Sequence, residues 1–322
     1  MRVWQLHELG EPGEQLRIET VDPPQIGPGQ VLIDVDAVGL SFPDVLQCRG
    51  EYQVKPPLPF TPGGEASGRI TDPGESGLEV GTRVVAIGGG LRETAAVAAA
   101  SVWPIPDGLR AEKAAAIPVN YGTTWFALHD RAQLAEGETL LVTGGAGGVG
   151  SAAIQLGRAA GARVIAVAGG EEKVGHCRAL GADEVIDHRE TPEFVDNVRQ
   201  LTDGRGVDVA YEPVGGEVFM QVRRCMAWDG RLLVIGFVAG IPEAPMNHVL
   251  LKNYSIVGVH WGASLGRNPD SLSAQMGEVL ELTKTGAVDP LIYPPFAFAD
   301  AARALQALAD RETYGKAVVT VG

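Results

Sequence analysis

The sequence predicts an α/β protein of two domains, in which a β-rich, barrel-like domain accompanies a doubly wound parallel sheet. Three observations support this prediction. Short strands separated by proline and glycine occupy the first part of the chain, and strand and helix patterns then alternate from Thr139 to about His260. A glycine-rich loop opens the alternating series, and a length of 322 residues exceeds what one hydrophobic core usually serves.

Strand patterns dominate the first part of the chain. Val31–Val38 mixes alternation with an apolar run, and Arg83–Ile87 predicts a short buried strand that ends at three glycines. Turn sequences such as Pro62-Gly63-Gly64 and Asp72-Pro73-Gly74 separate such segments. Short strands joined by turns of this kind predict a compact, barrel-like β domain.

The middle of the chain alternates between strand and helix. Its predicted strands are Thr139–Thr143, Arg163–Val167, Glu184–Ile186, Val207–Tyr211, Arg231–Ile235 and Ser255–Val259. Its predicted helices are Ser151–Ala160, Glu171–Leu180, Thr191–Leu201 and Gly216–Ala227. Because the strands are mostly apolar, we expect them to be buried on both faces, as in a parallel sheet covered by helices.

The last part of the chain has a different pattern. Ser271–Thr285 and Asp300–Asp310 are predicted to be helical, and Lys316–Val321 is predicted to be a strand. We expect this strand to return to the first domain, which makes that domain discontinuous. The expected division is residues 1–121 and 262–322 for the first domain and residues 122–261 for the second.

Composition excludes several classes of function. The net charge of −14 and pI of about 4.9 oppose binding to nucleic acid, which requires clustered Lys and Arg. We expect no membrane attachment, because no apolar run is long enough and the first residues do not resemble a signal peptide. Cys48, Cys177 and Cys225 lie far apart, which predicts a reducing cytoplasm and isolated packed thiols rather than a disulfide framework.

The strongest motif is the segment Thr143–Gly150. Within it, Gly145-x-Gly147-x-x-Gly150 matches the dinucleotide-binding fingerprint, and it directly follows a predicted strand and precedes a predicted helix. Glycines permit a tight turn, and they let backbone N–H groups approach a pyrophosphate closely. The sequence therefore predicts a nicotinamide dinucleotide site.

The end of the second strand of this series indicates which dinucleotide is bound. NAD sites usually place Asp or Glu there to bind the ribose 2′-hydroxyl, whereas this chain has Ala168-Gly169-Gly170. A small neutral end leaves room for a 2′-phosphate, and Lys173 and His188-Arg189 offer nearby positive charge or donors. We therefore predict NADPH over NADH.

A set of motifs, in order along almost the whole chain, resembles the zeta-crystallin-like NADPH:quinone oxidoreductases, which are zinc-independent medium-chain dehydrogenase/reductases. The motifs are Ser41–Leu46, Gly50-Glu51-Tyr52, Leu58–Gly63, Asn120–Thr124, Gly144–Gly150, Ala179–Asp183, Pro213–Gly216 and Gly315-Lys316. The resemblance implies a GroES-like catalytic domain that holds both chain ends and a Rossmann domain between them.

The resemblance also implies a set of site residues. Tyr52 would border the nicotinamide and contact the substrate oxygen. The expected cofactor contacts are Ser41, Thr124, Gly145, Ala146, Gly147, Gly148, Val149, Gly150, Gly169, Lys173, His188, Ile235, Gly236, Phe237, His260, Trp261 and Gly262. Two positions depart from the family: Ser41 replaces a frequent Asn, and Gly169-Gly170 replaces frequent serines, which removes one or two hydrogen bonds to phosphate.

Zinc is not expected. Related zinc alcohol dehydrogenases carry a Gly-His-Glu ligand motif, which appears here as Gly63-Gly64-Glu65, and their four-cysteine lobe is missing. Without Cys and His ligands a tetrahedral site is not credible, and Glu65 is expected to be structural. We also expect a homodimer formed through the last strand of the parallel sheet.

Three functions remain open at this point. The first is reduction of a quinone, in which the acceptor oxygens can take protons from water. The second is an enoyl reductase acting on conjugated carbonyls or thioesters, for which a proton donor such as Tyr52 would matter more. The third is a non-catalytic NADPH-binding protein of the crystallin type.

Overall fold

The described residues form three sheets, of which one has only two strands. The two larger sheets correspond to the β-rich part and the alternating part of the sequence. The computed structural model describes residues 1–268 and 270–322. Over these residues the chain divides into two compact units. Unit 1 comprises Met1–Val119, Leu272–Lys284 and Asp289–Gly322, and unit 2 comprises Asn120–Ser271 and Thr285–Val288.

The elements are numbered in chain order. The strands are Arg2–Leu6 (β1), Leu16–Thr20 (β2), Gln30–Leu40 (β3), Glu65–Asp72 (β4), Arg83–Ile87 (β5), Thr94–Ala98 (β6), Val102–Pro104 (β7), Thr139–Thr143 (β8), Arg163–Ala168 (β9), Glu184–Asp187 (β10), Val207–Glu212 (β11), Met226–Val234 (β12), Ser255–Gly258 (β13), Phe296–Ala297 (β14) and Ala317–Thr320 (β15). The α-helices are Pro12–Gln15 (α1), Phe42–Arg49 (α2), Ala111–Ala114 (α3), Pro118–Trp125 (α4), Gly148–Ala159 (α5), Glu171–Ala179 (α6), Val195–Leu201 (α7), Gly216–Cys225 (α8), Asn247–Lys252 (α9), Trp261–Leu265 (α10), Asp270–Lys284 (α11) and Ala301–Ala309 (α12). A π-helical turn, Phe126–Arg131, continues α4. Among these helices of the described chain, none is long and apolar enough to cross a membrane.

The long strand β3 organises unit 1. Strands β15 and β4 pair with it in antiparallel fashion, within the order β14-β15-β3-β4-β5-β7. Strand β6 lies outside that order and also pairs antiparallel with β3. Alternate residues Val31, Ile33 and Val35 point into the hydrophobic core, as the sequence pattern predicts. The register pairs Leu40 with Ala317 and Gly39 with Glu65. The end of β3 and the beginnings of β4 and β15 therefore lie at one edge of the sheet.

Unit 2 contains a parallel sheet with the order β10-β9-β8-β11-β12-β13. Leu140, Leu141 and Val142 of β8 are all 0% exposed, because the sheet is covered on both faces. The chain runs outward from β8 to β9 and β10, and then returns to begin again at β11. The carboxyl ends of β8 and β11 thus form the topological switch point, where such sheets bind ligands. The predicted α/β fold, a β-rich domain together with a doubly wound parallel sheet, is confirmed.

The structure corrects the predicted helix Gly216–Ala227. Helix α8 ends at Cys225, and β12 begins at Met226, well before the predicted start at Arg231. Met226 is fully buried and pairs with Val207, so the edge of a neighbouring strand outweighs the local helical pattern.

Two further boundaries differ from prediction. Helix α7 begins at Val195 rather than Thr191, because Pro192 disfavours a helical conformation in the residue before it. Helix α5 begins at Gly148 rather than Ser151, so part of the glycine fingerprint forms the first helical turn.

Candidate active site

The glycine-rich loop of unit 2 joins the end of β8 to the start of α5. Gly144 follows the strand with φ of 58°, and Gly147 precedes the helix in an extended conformation. The N–H of Gly147 donates to the Gly144 carbonyl at 2.8 Å and closes the turn. A Cβ at Gly150 would lie 2.1 Å from that same carbonyl oxygen, so only glycine fits there.

The loop is packed tightly on both sides. A Cβ at Gly145 would lie 3.0 Å from Sγ of Cys177, and one at Gly148 would lie 2.7 Å from Nδ2 of Asn120. No side chain of the described residues caps α5 by a hydrogen bond. The loop therefore presents backbone N–H groups at the positive end of a helix dipole, which favours binding of a phosphate.

A buried carboxylate at the switch point was missed from the sequence. Glu212, the last residue of β11, is 0% exposed and accepts the hydroxyl of Thr143 at 3.1 Å. It also accepts the N–H groups of Val214 at 2.8 Å and Gly215 at 2.9 Å. Burial raises the pKa of Glu212, and these three donors oppose the rise. Glu212 thus holds the loop after β11 against the end of β8.

Thr124 lies within unit 2 on α4 and is fully buried. Its hydroxyl shares a 2.9 Å hydrogen bond with the phenol of Tyr211, which is also fully buried. Burial raises the pKa of Tyr211 far above its ordinary value, so the phenol stays neutral. This contact ties α4 to β11 next to Glu212.

The carboxyl end of β9 brings two predicted residues together. A Cβ at Gly169 would lie 2.5 Å from Nε2 of His188, and one at Gly170 would lie 2.9 Å from Nη1 of Arg189. Gly170 also has φ of 90°, a conformation that side chains rarely adopt. The glycines therefore make room for an imidazole and a guanidinium. Lys173 lies in the first turn of α6, and it is partly exposed.

Asp187 supports this arrangement through the backbone. Its Oδ1 accepts the N–H of Gly170 at 3.0 Å and the N–H of Arg189 at 2.9 Å. These hydrogen bonds hold the pKa of Asp187 below its ordinary value. Asp187 thus fixes the start of α6 relative to the end of β10.

The segment after β12 packs against the loop after β11. The N–H of Ile235 donates to the carbonyl of Glu212 at 3.0 Å. A Cβ at Gly236 would lie 3.2 Å from the Pro213 carbonyl oxygen, whereas the next residue, Phe237, is 41% exposed. An apolar ring thus stands at the surface beside the switch point.

The three predicted residues around α10 differ in exposure. Trp261 is buried against Gly122, whose added Cβ would lie 2.4 Å from the indole Cζ2. His260 and Gly262, on either side of it, are exposed. Trp261 therefore packs α10 onto α4, and its two neighbours face outward.

Unit 1 contains a separate polar cluster at the edge where β3 ends and β4 and β15 begin. Lys316 precedes β15, and its ammonium donates to Oε1 of Glu65 and, at 2.5 Å, to Oγ of Ser41. The other oxygen of Glu65 accepts the N–H of Val119 at 2.8 Å. Lys316 is only 2% exposed and Glu65 is 0% exposed. Glu65 is thus buried and paired with Lys316, a partner that was not predicted from the sequence.

A glycine makes space for this ion pair. A Cβ at Gly39 would lie 2.8 Å from Cγ of Glu65, 2.9 Å from Cε of Lys316 and 2.1 Å from the Ala115 carbonyl oxygen. Burial raises the pKa of Glu65, and the adjacent ammonium of Lys316 opposes that rise. A buried charge is tolerated when it is paired and hydrogen-bonded in this way.

Asp44 and Tyr52 lie beside the cluster. Asp44 is 4% exposed and accepts the N–H groups of Ser41 at 2.7 Å and Gly63 at 2.9 Å. Tyr52 is half-buried, and its pKa is raised first by burial and then by the negative charge of Asp44. The Tyr52 phenol is therefore protonated at neutral pH and can donate a hydrogen bond.

The position of the zinc-ligand histidine is occupied by Gly64, which directly precedes β4. Throughout the part of the chain that the structure describes, no group of three His, Cys, Asp or Glu side chains is arranged to hold a metal ion. The three cysteines are free and buried, and burial raises the pKa of each thiol to about 12. Their predicted packing role is confirmed.

Known proteins share this architecture. An alcohol dehydrogenase GroES-like domain matches residues 27–107, and a zinc-binding dehydrogenase domain matches residues 148–287. A quinone oxidoreductase-like protein 2 homolog of Nematostella vectensis is 38% identical over 323 residues, which cover 97% of this chain and 87% of that protein.

Solved structures agree with these matches. A probable oxidoreductase from Mycobacterium abscessus has 37% identity and a TM-score of 0.91, with 100% of this chain and 99% of that chain covered. The quinone oxidoreductase from Thermus thermophilus, solved also with NADPH, has 34% identity and a TM-score of 0.87 over 100% of both chains. This chain therefore belongs to the quinone oxidoreductase family of medium-chain dehydrogenase/reductases.

Proposed function

We propose that this protein is an NADPH-dependent oxidoreductase that reduces a quinone or a related conjugated carbonyl without a metal. The observation that carries the proposal is the glycine-built loop at the N-terminus of α5, placed at the switch point of the parallel sheet. The Thermus thermophilus relative, which was solved with NADPH, is a quinone oxidoreductase, and this supports both the cofactor and the acceptor class.

The residues present fit this cofactor. Backbone N–H groups at the start of α5 suit a pyrophosphate, and the side chains of His188 and Arg189 surround a strand end that has no carboxylate of its own. When bound, NADPH supplies a hydride from its nicotinamide ring. The pyrophosphate would be held by Gly145, Ala146, Gly147, Gly148, Val149 and Gly150.

The remaining proposed cofactor contacts fall into two groups, one at the adenosine ribose and its phosphate and one at the nicotinamide. Gly169, Lys173 and His188 would surround the adenosine ribose and its phosphate. The nicotinamide would be bordered by Ser41, Tyr52, Thr124, Ile235, Gly236, Phe237, His260, Trp261 and Gly262. Among these, Thr124 would contribute indirectly by holding α4 in position, because its buried hydroxyl is hydrogen-bonded to the phenol of Tyr211. Residues 1–121 and 262–322 would form the catalytic domain, and residues 122–261 the NADPH-binding domain.

The electrostatics of unit 1 support the proposed metal independence. Gly64 offers no imidazole, and the carboxylate of Glu65 already accepts the ammonium of Lys316. A zinc ion at this position would meet a buried cation instead of a set of N and S ligands. Activity that survives a chelator supports this proposal, whereas activity that a chelator removes and zinc alone restores contradicts it.

A homodimer is proposed through the free edge of β13. That strand pairs only with β12 within the described chain. Exposed apolar side chains occur in β12 and in the segment between β12 and β13, and they include Trp228, Ile241, Met246, Leu250 and Leu251, each more than 60% exposed. An open strand edge and exposed apolar side chains both favour association with a second copy of the chain.

The remaining proposals concern location and partners. Three free, buried thiols support a reducing, cytoplasmic location. The net charge of −14 supports a small-molecule substrate and opposes nucleic acid.

The test of the activity is steady-state oxidation of NADPH with 1,2- and 1,4-quinones, and then with enones and enoyl thioesters. Turnover with quinones supports the proposal. Turnover with enoyl thioesters alone identifies an enoyl reductase. Tight NADPH binding without turnover of any acceptor indicates a non-catalytic binding protein.

A further inference from the structure

We propose that the hydroxyl of Ser41 is the proton donor to the reduced substrate, and that the buried Lys316–Glu65 pair positions and polarises it. This inference rests on the proposed function and adds a catalytic residue to it. The family resemblance alone marked Ser41 as a weakened contact, because a frequent Asn is absent there. The structure instead gives Ser41 a charged partner.

The three residues come together through the topology of unit 1. Ser41 follows β3, Glu65 begins β4 and Lys316 precedes β15, and these three strands are neighbours in the sheet. The backbone of Lys316 is fixed independently, because its N–H donates to Leu291 and its carbonyl accepts from Tyr293. The ammonium is therefore held in place by the sheet rather than by the serine.

Exposure differs within the cluster. Glu65 and Lys316 are almost completely buried, whereas Ser41 is half-buried. Gly39 leaves no spare volume around the ion pair, since a Cβ there would collide with both side chains. A substrate oxygen can therefore meet Ser41, but it cannot reach the ammonium directly.

The direction of the hydrogen bonds makes Ser41 a donor. Lys316 donates to Oγ of Ser41 at 2.5 Å, so the serine oxygen acts as an acceptor and its own proton is left for another partner. The alternative acceptor, Oε1 of Glu65, lies 3.5 Å away, at the limit of a hydrogen bond. A hydroxyl that accepts from an ammonium also becomes a better donor.

Ser41 passes its proton to the reduced substrate and is reprotonated by Lys316. Addition of a hydride to a conjugated carbonyl leaves the electron pair on the substrate oxygen as an enolate or phenolate. The O–H bond of Ser41 breaks as an O–H bond forms to that oxygen, and the serine oxygen takes a proton from Nζ of Lys316. Water then returns a proton to Lys316 through Ser41, which has solvent access.

The experiment compares Ser41→Ala with Ser41→Thr, using the acceptor that the wild type reduces fastest and one enone. General-acid donors contribute roughly 10²–10⁴-fold, so Ser41→Ala should lower kcat by at least about tenfold. The loss should be larger for the enone, because an enolate is more basic than the phenolate from a quinone. Ser41→Thr should retain most of the activity.

A solvent isotope effect separates a proton donor from a structural serine. Reaction in D2O should slow kcat of the wild type and of Ser41→Thr, and this effect should vanish in Ser41→Ala. Lys316→Met should lower kcat by a larger factor than it changes KM. Lys316→Arg should retain more of the wild-type kcat than Lys316→Met does. Ser67→Ala is the matched control, because Ser67 is a buried serine of β4 whose hydroxyl donates to Ala111 instead.

Two failures remain distinguishable. A wild type that oxidises NADPH with none of the acceptors overturns the proposed function. A wild type that is active, with Ser41→Ala within twofold in kcat and an unchanged isotope effect, overturns only the role of Ser41. In that case Tyr52→Phe, measured in the same way, identifies whether the phenol is the donor.

Discussion

Thr143 donates its hydroxyl to the buried carboxylate of Glu212, so the last residues of β8 and β11 are joined by a side-chain hydrogen bond at the switch point of the sheet. The same carboxylate accepts two backbone N–H groups of the following loop. The dinucleotide loop and the loop after β11 are therefore held by one residue.

Substitution of Glu212 should destabilise the protein and weaken NADPH binding. Glu212→Ala leaves the N–H groups of Val214 and Gly215 without this acceptor, at about 1–3 kcal/mol for each buried group left unsatisfied. The Thr143 hydroxyl keeps only its longer contact of 3.4 Å with the Tyr211 carbonyl. Thermal melting and NADPH titration measure the two effects. Glu217→Ala removes an exposed carboxylate from the first turn of α8 and is the control. A Glu212→Ala variant with the same melting temperature as the wild type would contradict this role.

The fingerprint glycine Gly150 should not tolerate alanine. The added Cβ would lie 2.1 Å from the Gly144 carbonyl oxygen, so the turn must open and move the N–H groups at the start of α5. Gly150→Ala should therefore weaken NADPH and NADH alike in binding titrations. Gly277→Ala is the matched control, because that helical position is open and alanine is favoured there by about 0.5–1 kcal/mol. Equal cofactor binding by both variants would refute the prediction.

Cofactor preference should depend on Lys173 and His188. A charge-assisted hydrogen bond contributes about 1.5–3 kcal/mol, so Lys173→Ala should weaken NADPH binding roughly tenfold or more and leave NADH nearly unchanged. His188→Ala should act in the same direction but less, because an imidazole N–H contributes one hydrogen bond to the phosphate.

Arg178→Ala provides the control for this pair, since Arg178 is an exposed cation in the last turn of α6. It should change neither affinity. If Lys173→Ala loses affinity for NADPH and for NADH by the same factor, Lys173 is not the cause of the preference for NADPH.

Acid should weaken one surface ion pair of unit 1. Arg49 donates to both oxygens of Glu11 at 2.8 Å, and this hydrogen bonding holds the pKa of Glu11 below its ordinary value of 4.5. A lowered pKa means that the stabilisation is present above that ordinary value and is lost as the pH falls through the folded-state pKa. Glu11→Gln should therefore melt lower than the wild type at neutral pH, and the gap should close in acid. A gap that stays constant with pH would show that the charge contributes nothing.

In solution the protein should be a dimer. Light scattering at micromolar concentration should give twice the chain mass of 33.8 kDa. Ile256→Lys places a charge on the free edge strand and should shift the mass towards the monomer, because lysine on an edge opposes strand pairing. A monomeric wild type at that concentration would refute the proposal.

Local sequence patterns predicted much of the fold, but they could not predict contacts between residues that are distant in the sequence. The apolar runs at Thr139–Thr143 and Arg83–Ile87 predicted their strands to the residue, because burial on both faces leaves a continuous apolar signal. The glycine loop was equally visible, since its sterics depend on adjacent residues. Met226 was assigned to a helix because its strand conformation depends on pairing with β11.

The polar clusters show the same limit. Lys316 was visible only as part of the Gly315-Lys316 motif, and nothing in the sequence around it indicates a buried partner in β4. Glu212 ends an apolar strand, which was the available signal, because a carboxylate there must be solvated or hydrogen-bonded. Pairing of such residues is decided by strand order, which a single sequence does not display.

NADPH-dependent quinone reduction without a metal is tested by kcat/KM for NADPH and for NADH with a 1,4-quinone, determined in the presence of a chelator. We predict turnover that is insensitive to the chelator, with a higher kcat/KM for NADPH than for NADH. Absence of quinone-dependent NADPH oxidation, or equal values for the two cofactors, would contradict it.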